Sequence, residues 1–306
     1  MTLRRAPRVL LLASCALALS ACGGATGDSG RPSVVTSFYP VEYVTERVAG
    51  DAVDITTLTA PGGEPHDLEL SPRQVAEVQD ADLVVYQSEF QTAVDEAVEQ
   101  ADRAEGTTVD AAEGVTLLEE SEGAQSEEGH DHGGVDPHLW LDPTNLEPVT
   151  ERVRDALVEL DPDNAEQYRA NAEELLADLG ALDEELRTGL AQCEVRDIVT
   201  SHAAFGYLAE AYDLRQVPIA GIDPGTEPSA AQLAEITDLV REDGITTVFT
   251  ETLVSPAVAR TVAREAGVET ATLDPIEGLA DATSGEDYLS IMRTNLATLQ
   301  KANRCS

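Results

Sequence analysis

Short runs of β-branched and aliphatic residues alternate along the chain with longer stretches of helical periodicity. The first half contains four such runs, at Val34–Phe38, Val53–Leu58, Asp82–Tyr86 and Thr107–Val109. Each is typical of a strand. Between them, Ser71–Asp80 and Glu89–Arg103 carry apolar residues at three- and four-residue intervals, which predicts amphipathic helices. Because strands that alternate with helices are typical of a parallel sheet, this half is predicted to form an α/β lobe.

The second half repeats the pattern. Its predicted strands are Asp197–Thr200, Gln216–Ile219, Thr246–Thr250 and Glu269–Leu273. Helical stretches separate them, notably Ala230–Glu242 and Pro256–Ala266. A second lobe of the same kind is therefore expected.

One long helical stretch separates the two halves. Residues from Asp163 to about Leu190 are rich in Ala, Glu, Leu and Arg and are interrupted by Gly180. At 1.5 Å per residue this helix is about 40 Å long, which is enough to run the length of a two-lobed molecule. The chain is predicted to be an α/β protein whose two lobes, 33–160 and 192–306, are joined by a long rigid helix at 161–191.

The amino terminus carries a targeting signal. Three arginines precede an apolar run at 9–21 that is too short to span a bilayer, which predicts a signal peptide at 1–21. Small residues lead into Cys22, and a Gly-rich polar stretch follows to residue 32. This arrangement resembles a bacterial lipobox and implies that Cys22 becomes the acylated first residue, with 22–32 as a flexible tether. The alternative is an ordinary secretory signal with an incidental cysteine.

Charge and cysteine usage narrow the partners and the compartment. The formal net charge is −39, and loss of the three leader arginines makes it about −42, which excludes nucleic acid as a partner. Such a surface is also typical of high solubility, so it is no evidence for a metal site. Cys193 and Cys305 remain after Cys15 leaves with the signal and Cys22 takes the lipid, and outside the cytoplasm they are predicted to form a disulfide.

An acidic, Gly-containing segment at 119–135 interrupts the first lobe. It cannot bury a core and is predicted to be a mobile loop. It contains His130 and His132, which are candidates for auxiliary metal binding.

Three other histidines occupy positions suited to a ligand site. His66 and His138 lie in loops stiffened by prolines, and His202 follows a predicted strand directly. In open α/β sheets, ligands bind at the carboxyl ends of strands. Neutral imidazoles suit Zn²⁺, whose fourth ligand could be a carboxylate after the last strand, either Asp274 or Glu277.

Six motifs, in this order, resemble those of the zinc and manganese solute-binding lipoproteins of ABC importers. They are Ser37–Pro40, Gly63–Asp67, Asp136–Pro143, Thr200–Tyr207, Phe249–Glu251 and Leu273–Leu279. The resemblance extends over nearly the whole mature chain. On these motifs the chain is identified as a member of this family.

The resemblance implies a metal site in the cleft between two α/β lobes. Its ligands match His66, His138, His202 and Glu277, with Asp274 or water as the alternative fourth ligand. Manganese-type members tend to carry glutamate where His202 stands, so a third imidazole favours Zn²⁺. The implied function is capture of Zn²⁺ at the outer face of the cell membrane and delivery to the permease of an ABC importer, by a protein expected to be monomeric.

Three alternatives remain open at this point. The chain could be a manganese-type member of the same family, or a surface adhesin, as some relatives were first regarded. Three histidines and a water also hold catalytic zinc, but no His-Glu-x-x-His helix is present and Glu277 would close the site. A zinc hydrolase is therefore disfavoured, and the protein is not expected to be an enzyme.

Overall fold

The structure is a computed structural model that describes residues 30–119, 134–280, 283 and 285–306. The predictions for the signal peptide, for Cys22 and for His130 and His132 fall outside these residues. Within the described ranges, no helix has both the length and the hydrophobicity needed to cross a membrane.

The first lobe is built on a parallel four-stranded sheet. Its strands are β1 (Ser33–Thr36), β2 (Asp54–Thr57), β3 (Leu83–Tyr86) and β4 (Thr108–Asp110), in the order β2-β1-β3-β4. The helices are α1 (Tyr39–Ala49), α2 (Pro72–Asp80), α3 (Thr92–Ala101) and α4 (Leu146–Leu160). The central strands β1 and β3 are buried runs of valine and leucine, as parallel sheets covered on both faces require.

The second lobe repeats this architecture. Strands β5 (Asp197–Thr200), β6 (Arg215–Pro218), β7 (Thr247–Thr250) and β8 (Glu269–Thr272) are parallel in the order β6-β5-β7-β8. The helices are α6 (Gly206–Ala211), α7 (Ala230–Glu242), α8 (Ala257–Ala266) and α9 (Tyr288–Ala302). Each lobe has one parallel four-stranded sheet with helices between its strands, which confirms the predicted fold class.

Helix α5 (Ala165–Leu190) is the long helix between the two sheets and spans about 39 Å. It packs against α1 and α4 on one side and against α9 on the other. Its buried face is a row of leucines at three- and four-residue spacing, Leu175, Leu179, Leu182, Leu186 and Leu190. The helix thus contributes to both lobes at once.

Two predicted helices begin or end differently in the structure. The predicted helix Glu89–Arg103 is shortened to α3 because Glu89 and Asp102 have positive φ angles of 61° and 44°. Left-handed residues cannot continue a right-handed helix. Pro162–Asn164 forms a separate 3-10 turn before α5, so the long helix begins at Ala165 rather than Asp163.

The two lobes share one apolar core. Residues 32–306 form a single compact unit, and its largest cluster includes Phe38 and Trp140 from the first lobe and Phe205 and Tyr288 from the second. Hydrogen bonds cross between the lobes as well. The indole N–H of Trp140 donates to the carbonyl of Pro275 (2.7 Å), and the Tyr288 hydroxyl donates to the carbonyl of Trp140 (2.6 Å).

A disulfide joins Cys193 to Cys305 and closes a segment of 112 residues. The two half-buried cysteines also form an isolated antiparallel bridge, so the chain's last residues lie beside the start of the second lobe. The bond holds the segment after α9 against the segment before β5 and thereby ties together the beginning and the end of this lobe.

Replacing both cysteines, Cys193→Ser with Cys305→Ser, is expected to lower the free energy of unfolding by about 2–4 kcal/mol, because a long closed loop restricts the unfolded chain. Urea unfolding followed by circular dichroism measures the change. Wild-type protein treated with reductant should match the double variant. Equal unfolding midpoints for oxidised wild type and variant would show that the bond does not stabilise the fold.

Candidate metal centre

Four loops from the two sheets supply the polar residues of the interlobe cleft. His66 lies in the loop after β2, and His138 immediately precedes the 3-10 turn Leu139–Leu141. His202 is the second residue after the end of β5, and Glu277 lies in the loop after β8. The side chains of His138, His202 and Glu277 are fully buried, and that of His66 is 8% exposed.

One ligand atom from each of these four residues converges on a common point, all within 4.8 Å of one another. The Nε2 atom of His138 lies 3.3 Å from that of His66 and 3.4 Å from that of His202. The Oε1 atom of Glu277 lies 3.3 Å from the Nε2 of His66, 3.2 Å from that of His138 and 3.1 Å from that of His202. The structure thus brings together the four residues that the sequence singled out.

These spacings fit a tetrahedral cation. In a regular tetrahedron the ligand–ligand distance is about 1.6 times the metal–ligand distance, so zinc–nitrogen bonds of about 2.0–2.1 Å place ligands about 3.3–3.4 Å apart. Five of the six distances among the four ligand atoms, between 3.1 and 3.4 Å, match this value, and all six are within 4.8 Å. Three imidazoles and one carboxylate are also ligands that zinc prefers, whereas manganese prefers octahedral oxygen ligands.

A carboxylate two residues before each first-lobe histidine holds that residue in place. The main-chain N–H of His66 donates to Oε1 of Glu64 (3.1 Å). Asp136 does more, because its Oδ1 accepts both the main-chain N–H (2.9 Å) and the Nδ1–H (2.8 Å) of His138. A carboxylate only accepts hydrogen bonds, so the proton of His138 is on Nδ1 and the Nε2 lone pair faces the cleft.

Glu251 does the same for the histidine of the second lobe. It directly follows β7, and its Oε1 accepts the main-chain N–H of His202 (3.0 Å) while its Oε2 accepts the Nδ1–H (2.5 Å). The Glu251 side chain is 1% exposed, which places this pair out of reach of solvent. The Nε2 of His202 is therefore also directed at the common point.

Electrostatics favour an ionised carboxylate at the centre. Burial opposes the charge on Glu277, yet the three surrounding imidazoles hold its pKa well below the usual range. Burial also disfavours a charged His202, but Glu251 and Glu277 outweigh it and raise the pKa of that imidazole well above its usual value. Burial lowers the pKa of His66. Burial likewise disfavours a charged His138, but Asp136 and Glu277 outweigh it and raise the pKa of that imidazole. A cation that enters must therefore compete with protons at His138 and His202.

The loop that carries Glu277 is held in an unusual conformation. Ile276 has a φ of 57°, which β-branched residues rarely adopt. Oδ1 of Asp274 accepts the N–H of Ile276 (2.8 Å), and Asn295 bonds both the N–H and the carbonyl of Asp274. Asp274, the alternative fourth ligand in the sequence, is not among the four converging residues and here fixes the turn that presents Glu277.

Sequence reasoning gave Glu64, Asp136 and Glu251 no role. The repeated order acid-Pro-His at Glu64–His66 and Asp136–His138 is the signal that could have revealed the first two. Glu251 directly follows a buried strand, at the same sheet edge as His202, but one-dimensional spacing does not show that these two loops meet.

Two parallel-sheet lobes that enclose three imidazoles and a carboxylate define a metal-binding protein of the two-lobed α/β class. Residues 34–302 match the profile of the family described as ZnuA, zinc-uptake complex component A, periplasmic. The chain belongs to this family, which confirms the family predicted from the sequence motifs.

Individual relatives agree with this assignment. The chain is 38% identical over 310 residues to the high-affinity zinc uptake system protein ZnuA of Bacillus subtilis, with 95% of this chain and 96% of the relative covered. It is 42% identical over 301 residues to the zinc-binding lipoprotein AdcA of Streptococcus pneumoniae, covering 95% of this chain but only 60% of that protein's length. The Zn(II)-bound ZnuA-like domain of S. pneumoniae AdcA superposes with a TM-score of 0.76 at 38% identity, covering 90% of this chain and 99% of that domain.

Replacing Glu251 by glutamine is expected to weaken zinc binding by about 10–100-fold, because a neutral amide orients the imidazole of His202 less firmly and makes it less basic. Competition with a chromophoric chelator measures the affinity. The exposed Glu242 on α7 provides the matched control, since Glu242→Gln removes the same charge far from the histidines. Equal affinity of the Glu251→Gln variant and wild type would exclude this role.

Proposed function

We propose that this protein captures Zn²⁺ outside the cytoplasm and delivers it to the membrane permease of an ABC-type importer. The observation that carries the proposal is the convergence of three imidazole nitrogens and one carboxylate oxygen at tetrahedral spacing in the buried cleft. The metal is cargo, held between the lobes until release.

In this proposal the zinc ligands are His66, His138, His202 and Glu277. The first two belong to the first lobe and the last two to the second, so a bound cation bridges the lobes. Such bridging couples occupancy to lobe closure, because a cation that contacts both lobes stabilises the closed arrangement and not an open one.

The relatives support the assignment of cargo. Their names describe zinc binding and high-affinity zinc uptake. The chain spans 60% of the length of the AdcA relative, so activities of the remaining part of that protein are not transferred.

We also propose that the protein is a lipoprotein on the extracytoplasmic face of the cell membrane, monomeric and anchored through acylated Cys22. The lipobox-like leader and the tether at 22–32 support this, as does the name lipoprotein of the AdcA relative. Strong attraction to anionic lipid is not expected from a chain of net charge −39, so the anchor must hold it there.

The rival functions fit the site less well. A manganese cargo would prefer more oxygen ligands than the single carboxylate among the four converging residues provides. Catalytic zinc sites keep one position open for water, whereas in this proposal Glu277, whose Oε1 lies close to the three imidazoles, takes the fourth position. Storage and transfer of the cation, rather than hydrolysis, is the chemistry that this ligand set favours.

The purified protein is expected to bind one Zn²⁺ tightly and to prefer it to Mn²⁺, because the tetrahedral nitrogen-rich set suits zinc. Competition titration of metal-free protein with both cations tests this. The combined variant His66→Ala, His138→Ala and His202→Ala should lose the tight site and keep its circular dichroism spectrum. A preference for manganese, or tight binding by the triple variant, would exclude the proposal.

Delivery is testable in cells that lack the chromosomal gene. The wild-type gene should restore zinc accumulation in zinc-poor medium, whereas a His66→Ala, His138→Ala variant should not, because it cannot load the cargo. Elemental analysis of washed cells measures zinc, and manganese content is the internal control. Cys22→Ser should shift the protein from the membrane to the medium. Full zinc accumulation by the histidine variant would contradict a transport role.

A further inference from the structure

Two buried glutamines contact the first-lobe loops that carry His66 and His138. Gln87 directly follows β3 and is 2% exposed, and Gln91 immediately precedes α3 and is 1% exposed. The side-chain amide of Gln87 donates to the carbonyl of Pro137 (2.5 Å). That of Gln91 donates to the carbonyl of Pro65 (3.2 Å) and to the hydroxyl of Thr59 (2.9 Å). Each of these prolines is the residue just before a histidine of the metal centre.

The amide oxygens of the two glutamines, Oε1 of Gln87 and of Gln91, are buried and accept no hydrogen bond from the described residues. Rotating either amide by half a turn would place its oxygen against a carbonyl oxygen, so the orientation is fixed. A buried polar atom without a partner destabilises a fold, and an apolar side chain of similar size would avoid the penalty. Their burial is offset only by the bonds that their amide groups donate.

The carbonyls of Pro137 and Pro65 each accept another hydrogen bond besides the one from the glutamine. The carbonyl of Pro137 also accepts the N–H of Leu139 (2.8 Å), and that of Pro65 accepts the N–H of Leu68 (3.3 Å). What the glutamines add is a second hydrogen bond at each carbonyl. The second bond restricts the orientation of each carbonyl, which would have a hydrogen-bond donor even without the glutamine.

Fixing these carbonyls fixes the histidines. The peptide bond is planar, so the carbonyl of Pro65 and the N–H of His66 lie in one rigid plane, which Gln91 holds at one end and Glu64 at the other. The proline ring restricts φ on the preceding side. The peptide between Pro137 and His138 is held in the same way, by Gln87 and Asp136.

The second lobe uses a related contact. The amide of the half-buried Gln216 donates to the carbonyl of His202 itself (3.0 Å), which also accepts the hydroxyl of Thr200 (2.7 Å). A glutamine amide therefore holds a main-chain carbonyl at, or directly before, each of the three converging histidines.

We propose that Gln87 and Gln91 are positioning residues that preorganise the Nε2 atoms of His66 and His138 for a divalent cation. The inference rests on the proposed zinc site. A preorganised pair binds more tightly because less conformational freedom is lost when the cation arrives. The unpaired amide oxygens are then a loss of stability in the metal-free protein that is tolerated for affinity.

The test uses Gln87→Met and Gln91→Met, each made singly, since methionine keeps the length of the side chain and removes both the donor and the unpaired oxygen. Each variant should bind one Zn²⁺ about 10–100-fold more weakly than wild type in chelator competition. The midpoint of thermal unfolding without metal should stay within about 2 °C of wild type or rise. Gln300→Met is the matched control, because Gln300 makes the same kind of bond to the carbonyl of Gly189, away from the histidines.

Substitution with Co²⁺ supplies a readout that a purely structural role would not change. Wild type and Gln300→Met should show the intense visible absorption of tetrahedral cobalt, and the two test variants should show it weakened or shifted, because the imidazoles are no longer held in place.

The outcomes separate the two proposals. Zinc affinity within about threefold of wild type in both variants would overturn the positioning role, since outer contacts of this kind normally change affinity by tenfold or more. A fall in metal-free stability with an unchanged cobalt spectrum would also overturn it. Failure of wild type itself to bind Zn²⁺ would instead overturn the proposed function.

Discussion

The site depends on keeping one fully buried carboxylate, that of Glu277, ionised. Burial of an uncompensated charge is strongly unfavourable, so the side chain must find cationic or hydrogen-bonding partners in the cleft. The partners near its Oε1 atom come from both lobes, His66 and His138 from one and His202 from the other. Separation of the lobes would therefore leave the carboxylate with His202 alone, since these two residues belong to the same lobe, and the shared core and the Trp140–Pro275 bond hold the lobes in this arrangement.

The same constraint explains the outer layer of acids. Each imidazole has to offer its Nε2 lone pair to the centre, so its Nδ1 or its backbone must be held from behind. Asp136 and Glu251 do this for His138 and His202 through Nδ1, and Glu64 holds the backbone of His66. An acidic protein thus uses a few of its carboxylates in buried, specific contacts, while its surface charge has no part in the site.

The sequence was sufficient for the fold class and for the four converging residues, because both depend on local signals. Parallel strands appear as short β-branched runs, and loops at their carboxyl ends carry the histidines. The sequence could not show which loops meet across the cleft, so Glu251, Gln87 and Gln91 were found only in three dimensions. The family resemblance favoured Glu277, but the residue pattern alone left Asp274 open, because the turn between them depends on the positive φ of Ile276.

Trp140 also gives the molecule an optical probe. It is the chain's one tryptophan, is fully buried, and lies with its ring centroid 5.2 Å from that of His138. Its indole N–H bonds the opposite lobe two residues before Glu277. The emission of an indole depends on its hydrogen bond and on nearby charge. Intrinsic fluorescence of the unlabelled protein therefore reports from the junction of the two lobes, beside the converging histidines.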